Sequence, residues 1–449
     1  MSFLERIATA GVVGCGGAGF PTHRKLSGNI SHYIVNAVEC EPLLRTDRYI
    51  MIHMAQQVVK AAAVVRKEFG NVPCTIAIKE DYQEEIASLS AAISSIDPEI
   101  RLFKMKSFYP AGDEQTLVSE ITGQVVPPAG IPLDVGCAVN NVGTMLCIFD
   151  ALNGIPFTHK YLTVNGSVAQ PTVLRVPVGT SYRDCIDGAG GALVEKGFVV
   201  SGGPMMGKRL EMSEAMEGSV TKTTSGLLVL PGDGPIASSS RISIAHMKNR
   251  ARSACIQCRQ CTDMCPRYLL GHPLQPHKVM RKLAYAEDLQ TLFEDPEMQQ
   301  ALLCCECGIC EMFACPMQLQ PRRINAMIKA ELSQRGIRYP KGEGQRDRSE
   351  LLEFRKIPSN RIAARAGVLP WYHTCGTDGL IELEPHVVTL FLQQGAGVPA
   401  LPVVNSGEQV EAGQLIAGCP EGSLGANLHA SIRGIALVNR DSITIKKEG

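Results

Sequence analysis

The feature that most constrains this chain is the crowding of its cysteines into one short region. Nine of the seventeen cysteines lie between positions 255 and 315, in two dense runs. Thiols at such close spacing in a chain of 449 residues indicate metal binding rather than disulfide bonds. The other eight cysteines are scattered among apolar neighbours, where cysteine usually packs as a small hydrophobic residue.

The first run has the spacing C-x2-C-x2-C-x3-C-P. Its members are Cys255, Cys258, Cys261 and Cys265, the last followed by Pro266. Three thiolates at this spacing wrap one face of a cubane, and the fourth ligates the other cluster in two-cluster ferredoxins. Zinc is the competing interpretation, but zinc sites favour two separated cysteine pairs over three ligands in a row. The spacing therefore favours iron–sulfur clusters.

The second run, LCCECGICEMFACP, holds five cysteines, one more than a four-ligand centre uses. Starting at Cys304 restores the two-residue spacing, whereas starting at Cys305 makes the first step too tight for the usual loop. By the crossed pattern of two-cluster proteins, we predict the following ligands: Cys255, Cys258, Cys261 and Cys315 for the first cluster, and Cys304, Cys307, Cys310 and Cys265 for the second. Cys305 is then left over. The step before Cys315 is one residue longer than in the first run, and the frame with Cys305 in place of Cys304 stays open.

Charge and hydropathy exclude some classes of protein. Lys plus Arg and Asp plus Glu both total 44, so no overall field favours nucleic acid. No run of 18 or more apolar residues occurs, and the N-terminus lacks the apolar core of a signal peptide. We expect a soluble, non-secreted protein without a membrane span and without a nucleic-acid partner.

The chain reads as a multidomain α/β plus β protein. From position 33 to 105, strand-like and helix-like runs alternate as β-α-β-α-β, which is typical of a doubly wound parallel sheet. Short β-rich runs follow, then a mainly helical cysteine region, then short strands and tight turns again. The predicted boundaries are 1–155 for the α/β domain, 156–240 for a small β domain, 241–340 for the helical iron–sulfur domain, 341–379 for a charged linker and 380–449 for a β-sandwich.

The N-terminal segment GVVGCGGAGFPTHRKL carries four glycines within six residues, followed by His23, Arg24 and Lys25. Glycines allow backbone N–H groups to close on a phosphate, and nearby cations balance its charge. The segment lacks the Walker pattern, and no strand precedes it as in the ordinary dinucleotide fingerprint. A phosphate site and a purely structural turn both remain open on these residues alone.

Four segments, in order, resemble the flavin-binding subunit of respiratory complex I and, more closely, the C subunit of the Rnf electron-transport complex. They are GCGGAGFPTHRK at 14–25, NAVECEP at 36–42, YPAGDEQ at 109–115 and VNNVGT at 139–144. The resemblance implies an FMN site formed by Gly14, Gly16, Lys25, Asn36, Glu39, Tyr109, Asp113, Glu114, Asn140 and Asn141. Phe20 and Glu41 match positions near the nicotinamide nucleotide in complex I. Cys15 stands where the complex I version has arginine, and Asp113 or Glu114 could instead be a helix N-terminal charge.

The resemblance covers nearly the whole chain. The segment VSGGPMMG at 200–207 resembles the soluble-ligand-binding β-grasp domain, and the tail resembles the barrel-sandwich domain of the same Rnf subunit. In that subunit the barrel-sandwich lies at the N-terminus, whereas here it follows the two-[4Fe–4S] ferredoxin-like domain. This order resembles the cobalamin reductases of the propanediol-utilisation microcompartment.

That resemblance implies an oxidoreductase for coenzyme B12 recycling. Electrons would pass from NADH through FMN and two [4Fe–4S] clusters to cobalamin, reducing cob(III)alamin to cob(II)alamin and then to cob(I)alamin. We assign no catalytic acid or base, because the work is electron transfer. The implied partners are a cobalamin adenosyltransferase and microcompartment shell or electron-transfer proteins, and the implied location is the bacterial cytoplasm, inside a microcompartment. Two alternatives remain: an NADH-input subunit of an Rnf-type complex, and a non-enzymatic electron-relay protein.

Overall fold

A computed structural model describes residues 1–448, so Gly449, the last residue of the predicted domain 380–449, lies outside the described residues. Five β-sheets, of four, six, two, four and three strands, organise this part of the chain. Within it, none of the helices combines the length and the apolar character needed to cross a membrane.

The N-terminal part is built on a four-stranded parallel sheet with strand order β3-β2-β1-β5. Its strands are β1 (His32–Ala37), β2 (Cys74–Lys79), β3 (Arg101–Met105) and β5 (Cys137–Asn141), and β4 (Phe108–Tyr109) lies apart from them. The helices are α1 (Phe3–Thr9), α2 (Thr22–Lys25), α3 (Thr46–His53), α4 (Ala55–Glu68), α5 (Gln83–Ile96), α6 (Glu114–Thr122) and α7 (Val142–Leu152).

The central strands β1 and β2 are buried on both faces, which is why they are mainly apolar, whereas the edge strand β3 is partly exposed. Tyr33 and Val35 of β1 point to one face and pack with residues of α4, α5 and α7. Ile34, on the opposite face, packs with Leu117 and Val118 of α6. Helices on both faces of a parallel sheet leave its carboxyl edge open, and the side chains that follow β1 and β5 meet there.

The middle part is a six-stranded mixed sheet of order β12-β7-β6-β10-β8-β9. Its elements are β6 (His159–Gly166), β7 (Thr172–Pro177), α8 (Tyr182–Gly188), β8 (Gly197–Ser201), β9 (Lys208–Glu211), α9 (Met212–Met216) and β10 (Gly226–Pro231). The sixth strand, β12 (Leu380–Glu382), pairs in parallel with β7 although it comes from the predicted β-sandwich segment.

The cysteine region is helical. Its helices are α10 (Pro235–Ser240), α11 (Ile244–Ala254), α12 (Gln260–Asp263), α13 (Pro266–Leu269), α14 (Pro276–Tyr285), α15 (Leu289–Glu294) and α16 (Pro321–Gln334), with a π-helical turn at Cys310–Ala314. An apolar core between α11, α14 and α16 includes Val279, Leu283 and Ile328. Most of the cysteines lie in the loops around this core, whereas Cys261 lies in α12 and Cys310 begins the π-helical turn.

The segment 341–379, which the sequence predicts to be a linker, contains β11 (Ile357–Pro358) and α17 (Ser359–Arg365). Strand β11 pairs with β4 of the N-terminal part. Ile357 and Ile362 are buried beside Ile309 of the second cysteine run. Apolar residues within this charged segment therefore pack it against both the N-terminal part and the cysteine region.

The C-terminal part consists of two facing sheets. Their strands are β13 (Val387–Phe391), β14 (Leu401–Pro402), β15 (Gln409–Val410), β16 (Leu415–Gly418), β17 (Leu428–His429), β18 (Gly434–Val438) and β19 (Ser442–Lys446), in the orders β13-β19-β18-β15 and β14-β16-β17. Its core also includes Val13 and Cys15 of the glycine-rich segment. Ala396 N–H donates to the Ala18 carbonyl at 2.8 Å, so this part braces the glycine loop.

Candidate functional site

A cavity of about 330 Å³ opens at the carboxyl edge of the parallel sheet. Such edges are where ligands bind in open α/β sheets, and cavities of roughly this size hold small cofactors. Four residues of the predicted FMN site border it: Gly16, Asn36, Glu39 and Asn141. Glu41, predicted near the nicotinamide nucleotide, borders it as well. The structure thus brings together residues that are up to 125 positions apart in the numbering.

The glycine loop forms one wall of this cavity. It closes through a β-bridge between Val13 and Pro21 and a hydrogen bond from Gly14 N–H to the Phe20 carbonyl, 3.0 Å long. A Cβ added at Gly16 would lie 3.1 Å from the Asn141 side chain, so only glycine leaves the space between them free. The loop is therefore shaped for the close approach of a ligand to its backbone.

The side-chain amides of Asn36 and Asn141 also border the cavity, and each is held by two hydrogen bonds. Asn141 Nδ2 donates to Asp47 Oδ2 at 2.6 Å, and its Oδ1 accepts from Gly143 N–H, which caps α7. Asn36 Nδ2 donates to the Gly112 carbonyl at 2.9 Å, and its Oδ1 accepts from Val38 N–H. Both amides are held in a single orientation by these paired contacts.

Three carboxyl groups in the cavity are electrostatically perturbed. Burial, together with the neighbouring Asp47, raises the pKa of Glu39 to about 8. Burial raises the pKa of Asp47 to about 6 and that of Glu41 to about 7. Glu39 Oε1 accepts from Asp47 N–H at 3.0 Å, while its Oε2 has no hydrogen-bond partner. An unpartnered buried oxygen at a cavity wall is a position where a ligand donor can bind.

We predict that Glu39→Gln reduces the pH dependence of stability. Between about pH 4.3, the ordinary glutamate pKa, and the raised value of about 8, the folded state holds a proton that the unfolded chain does not. The free energy of unfolding therefore falls as pH rises through that window in the parent protein. Glutamine carries no titrating group, so the fall in the free energy of unfolding between about pH 5.5 and about pH 8 should be smaller in the variant, by about 3 kcal/mol.

Thermal unfolding at the two pH values measures this difference. Glu84→Gln is the matched control, because Glu84 is an exposed residue on α5. The control should keep the pH dependence of the parent protein. An unchanged pH dependence in Glu39→Gln would show that the Glu39 carboxyl is ionised in the folded state.

The other predicted flavin residues lie outside this lining. Lys25 forms an ion pair with Glu114. Asn140 Oδ1 accepts a hydrogen bond from Tyr33 Oη at 3.2 Å, between strands β5 and β1. Gly14, Tyr109 and Asp113 also stand outside it, and Phe20, the predicted nucleotide contact, is 41% exposed.

Sequence reasoning missed several residues that border the cavity. Lys160, at the start of β6, is only 5% exposed and directs Nζ to within 3.4 Å of the Cys15 carbonyl oxygen. Asp47, Gly112 and Cys147 border it as well. None of them belongs to a recognisable motif except Gly112, in YPAGDEQ, so only the tertiary fold reveals them. Glycine backbone, fixed amides and one buried cation form a donor set that fits FMN.

The cysteines of the two runs border two further cavities. One is bordered by Cys255, Cys258, Cys261 and Cys315. The other is bordered by Cys265, Cys304, Cys305, Cys307 and Cys310. In residues 1–448, no three His, Cys, Asp or Glu side chains converge closely enough to hold a single metal ion. The structure brings Cys315 to the first run and Cys265 to the second, which is the crossed grouping that the sequence predicts.

The backbones of the two runs match residue by residue when the second is counted from Cys304. The third and fifth residues of each run have positive φ: 53° at Gln257 and 64° at Arg259, 59° at Glu306 and 78° at Gly308. Left-handed backbone is uncommon outside glycine, so this repeat marks a shared loop shape. In this alignment Cys305 corresponds to Ile256, not to a cysteine.

Backbone N–H groups point at sulfur atoms in the same loops. Glu306 N–H donates to Cys304 Sγ at 3.4 Å, and Leu319 N–H donates to Cys315 Sγ at 3.3 Å. Hydrogen bonds to cluster sulfurs are among the factors that set reduction potential. Cys258 of the first run is exposed, whereas Cys304, Cys307 and Cys310 are buried. The first cysteine cavity is therefore the one nearer to solvent.

The second cysteine cavity lies against the sheet-edge cavity. Tyr109 Oη donates to the Cys307 carbonyl at 2.7 Å and lies 3.5 Å from Glu41 Oε1. Asp113, which caps α6, forms a bidentate ion pair with Arg267, two residues after Cys265. Tyr109 therefore joins a residue of the sheet-edge cavity to the second cysteine run, and the Asp113–Arg267 pair joins α6 to α13.

Comparison with known protein families assigns each part of the chain. The Nuo51 FMN-binding domain matches residues 7–150, and the SLBB domain matches 161–208. The 4Fe-4S dicluster domain matches 254–320, and the RnfC barrel sandwich hybrid domain matches 379–445. The two cysteine runs thus fall inside the dicluster domain, and the sheet-edge cavity lies between the FMN-binding domain and residues that follow it, such as Lys160.

Whole-chain comparison decides the family. Over 445 residues the chain is 40% identical to cobalamin reductase PduS of Salmonella typhimurium, covering 98% of this chain and 95% of that protein. The chain belongs to the PduS family. PduS of Citrobacter freundii is also 40% identical, over 443 residues. The C subunit of the Na(+)-translocating ferredoxin:NAD(+) oxidoreductase complex of Acetobacterium woodii is 33% identical over 271 residues, covering 59% of this chain and 58% of that protein.

Family membership confirms the resemblance stated from the sequence motifs. FMN and [4Fe–4S] clusters are the cofactors of a PduS-family chain with these domains. The coarse architecture is likewise confirmed: an FMN-binding domain, an SLBB domain, a dicluster domain and a barrel sandwich follow one another along the chain.

Proposed function

We propose that this protein is an NADH-dependent cobalamin reductase. The observation that carries the proposal is the 40% identity to cobalamin reductase PduS over 98% of the chain. Geometry adds support, because Tyr109 contacts Glu41, which borders the sheet-edge cavity, and donates to the carbonyl of Cys307, which borders the second cysteine cavity. When bound, FMN takes two electrons from a hydride donor and releases them one at a time to clusters that carry single electrons.

The role of the chain's own residues is to bind and orient the cofactor and NADH. Gly16 leaves room at the wall, Asn36 and Asn141 present fixed amides, and Lys160 supplies a buried positive charge for an anionic cofactor. Glu39 holds its proton at neutral pH and has a free oxygen facing the cavity. We assign Glu41, which accepts from Met205 N–H at 2.9 Å, and Phe20 to the NADH side of the site.

The ten flavin residues predicted from the resemblance divide into two groups in this proposal. Gly16, Asn36, Glu39 and Asn141 border the cavity and would contact FMN directly. The remaining six support the site from outside its lining: Gly14, Lys25, Tyr109, Asp113, Glu114 and Asn140. Of these, Asp113 and Tyr109 connect the site to the cysteine region.

The cluster ligands follow the crossed grouping. Cys255, Cys258, Cys261 and Cys315 hold the first cluster, and Cys304, Cys307, Cys310 and Cys265 hold the second. Because Tyr109 contacts Cys307 of the second set and Cys258 of the first set is exposed, the second cluster would be the one nearer the flavin and the first the one nearer an external acceptor. We assign these folds to the successive parts of the chain: a doubly wound α/β domain at 1–155, a β-grasp domain at 156–240, a ferredoxin-like domain at 241–340, a linker at 341–379 and a lipoyl-like barrel sandwich at 380–449.

The cellular setting is also part of the proposal. A chain of the PduS family that produces cob(I)alamin would supply a cobalamin adenosyltransferase and would work beside microcompartment shell or electron-transfer proteins. Its location would be the bacterial cytoplasm, within a propanediol-utilisation microcompartment. Co-purification with encapsulated enzymes, lost on disruption of the shell, is the expected result.

Anaerobic purification followed by a steady-state assay tests the reaction. We expect NADH to drive the reduction of cob(II)alamin, trapped as the adenosylated product by an added adenosyltransferase, with little reduction when FMN is removed. The second candidate function, an NADH-input subunit of an Rnf-type complex, is favoured by the 33% identity to the Acetobacterium woodii protein. Rapid NADH-driven reduction of a ferredoxin without reduction of cobalamin would favour that alternative.

We expect Gly16→Val to weaken FMN binding about tenfold or more, equivalent to about 1.4 kcal/mol. A side chain at this position fills the gap between the loop and Asn141. Gly17→Val is the matched control, because no atom lies within 4 Å of a Cβ at Gly17. Quenching of FMN fluorescence on titration measures both affinities. Equal affinities in the two variants would show that the glycine loop does not contact the bound FMN.

A further inference from the structure

Two cysteines that the electron-transfer path does not use meet at the wall of the sheet-edge cavity. Cys15, in the glycine loop, and Cys147, on α7, are 132 positions apart, and their Sγ atoms lie 3.7 Å apart. Both border the cavity, so a small molecule entering it reaches the pair. Neither residue belongs to the cysteine runs.

The surroundings of the pair favour a reactive sulfur on Cys15. Its backbone N–H donates to Thr144 Oγ1 at 2.9 Å, which fixes the loop against α7. The thiol of Cys147 lies within hydrogen-bonding distance of Cys15 Sγ, and Lys160 lies nearby with its positive charge. The hydrogen bond from Cys147 and the charge of Lys160 outweigh burial and lower the pKa of Cys15 to about 6, so Cys15 is mainly a thiolate at neutral pH.

The partner thiol has the complementary character. The same hydrogen bond and burial raise the pKa of Cys147 well above its usual range, so Cys147 keeps its proton. A thiolate next to a protonated thiol at contact distance is the arrangement of an attacking and a resolving cysteine. Cys40, which borders the same cavity, lacks such a neighbour: burial raises its pKa to about 12.

We propose that Cys15 and Cys147 form a redox-active dithiol that is oxidised to a disulfide by low-molecular-weight disulfides entering the cavity. Cys15 Sγ attacks one sulfur of the small disulfide, whose S–S bond breaks and releases one thiolate. That thiolate takes the proton of Cys147, and Cys147 Sγ then attacks Cys15 Sγ and expels the second small thiolate, which takes a proton from water. The protein loses two electrons, and the small disulfide gains them as two thiols.

The consequence is a cavity whose wall responds to the thiol redox state of its surroundings. Oxidation removes the Cys15 negative charge beside Lys160 and ties the glycine loop covalently to α7. Because the pair is assembled from the chain alone, the proposal holds whether or not the assigned reaction is correct.

Peptide mapping of the full chain tests the proposal. The protein is purified anaerobically with its clusters and freed of FMN, so that the cavity is open. It is then equilibrated in buffers of 2-mercaptoethanol and 2-hydroxyethyl disulfide at graded ratios, alkylated, digested and analysed by mass spectrometry. We expect a cross-linked peptide pair containing Cys15 and Cys147, lighter by two hydrogen atoms than the reduced peptides, that disappears on addition of dithiothreitol. Alkylation of both residues as free thiols at every ratio would overturn the proposal.

Single substitutions assign the two roles. Cys147→Ser should stop at a mixed disulfide on Cys15, which gains one mercaptoethanol unit. Cys15→Ser should leave Cys147 unmodified, and the control Cys40→Ser should form the Cys15–Cys147 cross-link as the parent does. A mixed disulfide on Cys147 in the Cys15→Ser variant would contradict the assignment of Cys15 as the attacking sulfur.

Discussion

Cys307→Ser is expected to remove one of the two clusters and about half of the bound iron, because the second centre loses one of four thiolate ligands. Cys307 borders the second cysteine cavity, and its carbonyl accepts the hydrogen bond from Tyr109. Loss of this cluster interrupts the path between the flavin site and the first cluster. NADH-driven cobalamin reduction should therefore fall to near background, while FMN binding persists.

Cys305→Ser is the matched control, since it changes the adjacent thiol in the same cavity. In the backbone alignment of the two runs, Cys305 corresponds to Ile256, so its loss should leave both clusters intact. Iron and acid-labile sulfide analysis, with EPR of the dithionite-reduced protein, distinguishes the variants. Loss of a cluster in Cys305→Ser with retention in Cys304→Ser would show that the second run is read from Cys305.

Arg267→Met is expected to lower the free energy of unfolding by about 3–5 kcal/mol, because it leaves the Asp113 carboxylate buried without its partner. The two side chains are 9% and 16% exposed, and both guanidinium N–H contacts are short, at 2.6 and 2.8 Å. Burial alone would raise the pKa of Asp113, but Arg267 outweighs burial and lowers it. The stabilisation is therefore present above the ordinary aspartate pKa and is lost as pH falls through the lowered value.

Anaerobic urea unfolding at neutral pH measures the effect of Arg267→Met. Arg433→Met is the control, since the Arg433–Glu411 pair is 65% and 67% exposed and such pairs contribute about 0–1 kcal/mol. The double variant Asp113→Asn, Arg267→Met should recover part of the loss, because asparagine can still cap α6 and no unpaired charge remains buried. A double variant less stable than Arg267→Met alone would contradict an unpaired charge as the cause.

Of the sequence features, the cysteine spacing predicted the most about the candidate site. The C-x2-C-x2-C frame located both loops, and the crossed grouping of Cys265 and Cys315 matches the two cavities. Alternation of strand and helix runs likewise predicted the parallel sheet, since strands buried on both faces are apolar throughout. Local spacing sufficed because these features depend on residues close together in the chain.

Contacts between distant segments could not be read from the sequence. Strand β12 has only three residues and no distinctive pattern, yet it completes the sheet of the middle part. Lys160 and Asp47 border the sheet-edge cavity, but neither lies in a segment with a recognisable motif. Asp113, predicted as a flavin residue, caps a helix and pairs with Arg267, 154 positions away, a partner that no local pattern identifies.

The central claim is that electrons pass from NADH through the flavin site and both cysteine centres to cobalamin. Anaerobic rapid mixing of the holoenzyme with NADH, followed by optical absorbance and by EPR of frozen samples, tests it most directly. We predict bleaching of the flavin absorbance, then EPR signals of reduced clusters, then reoxidation of both when cob(II)alamin is added. Flavin that stays oxidised after NADH, or clusters that stay reduced in the presence of cob(II)alamin, would contradict the account.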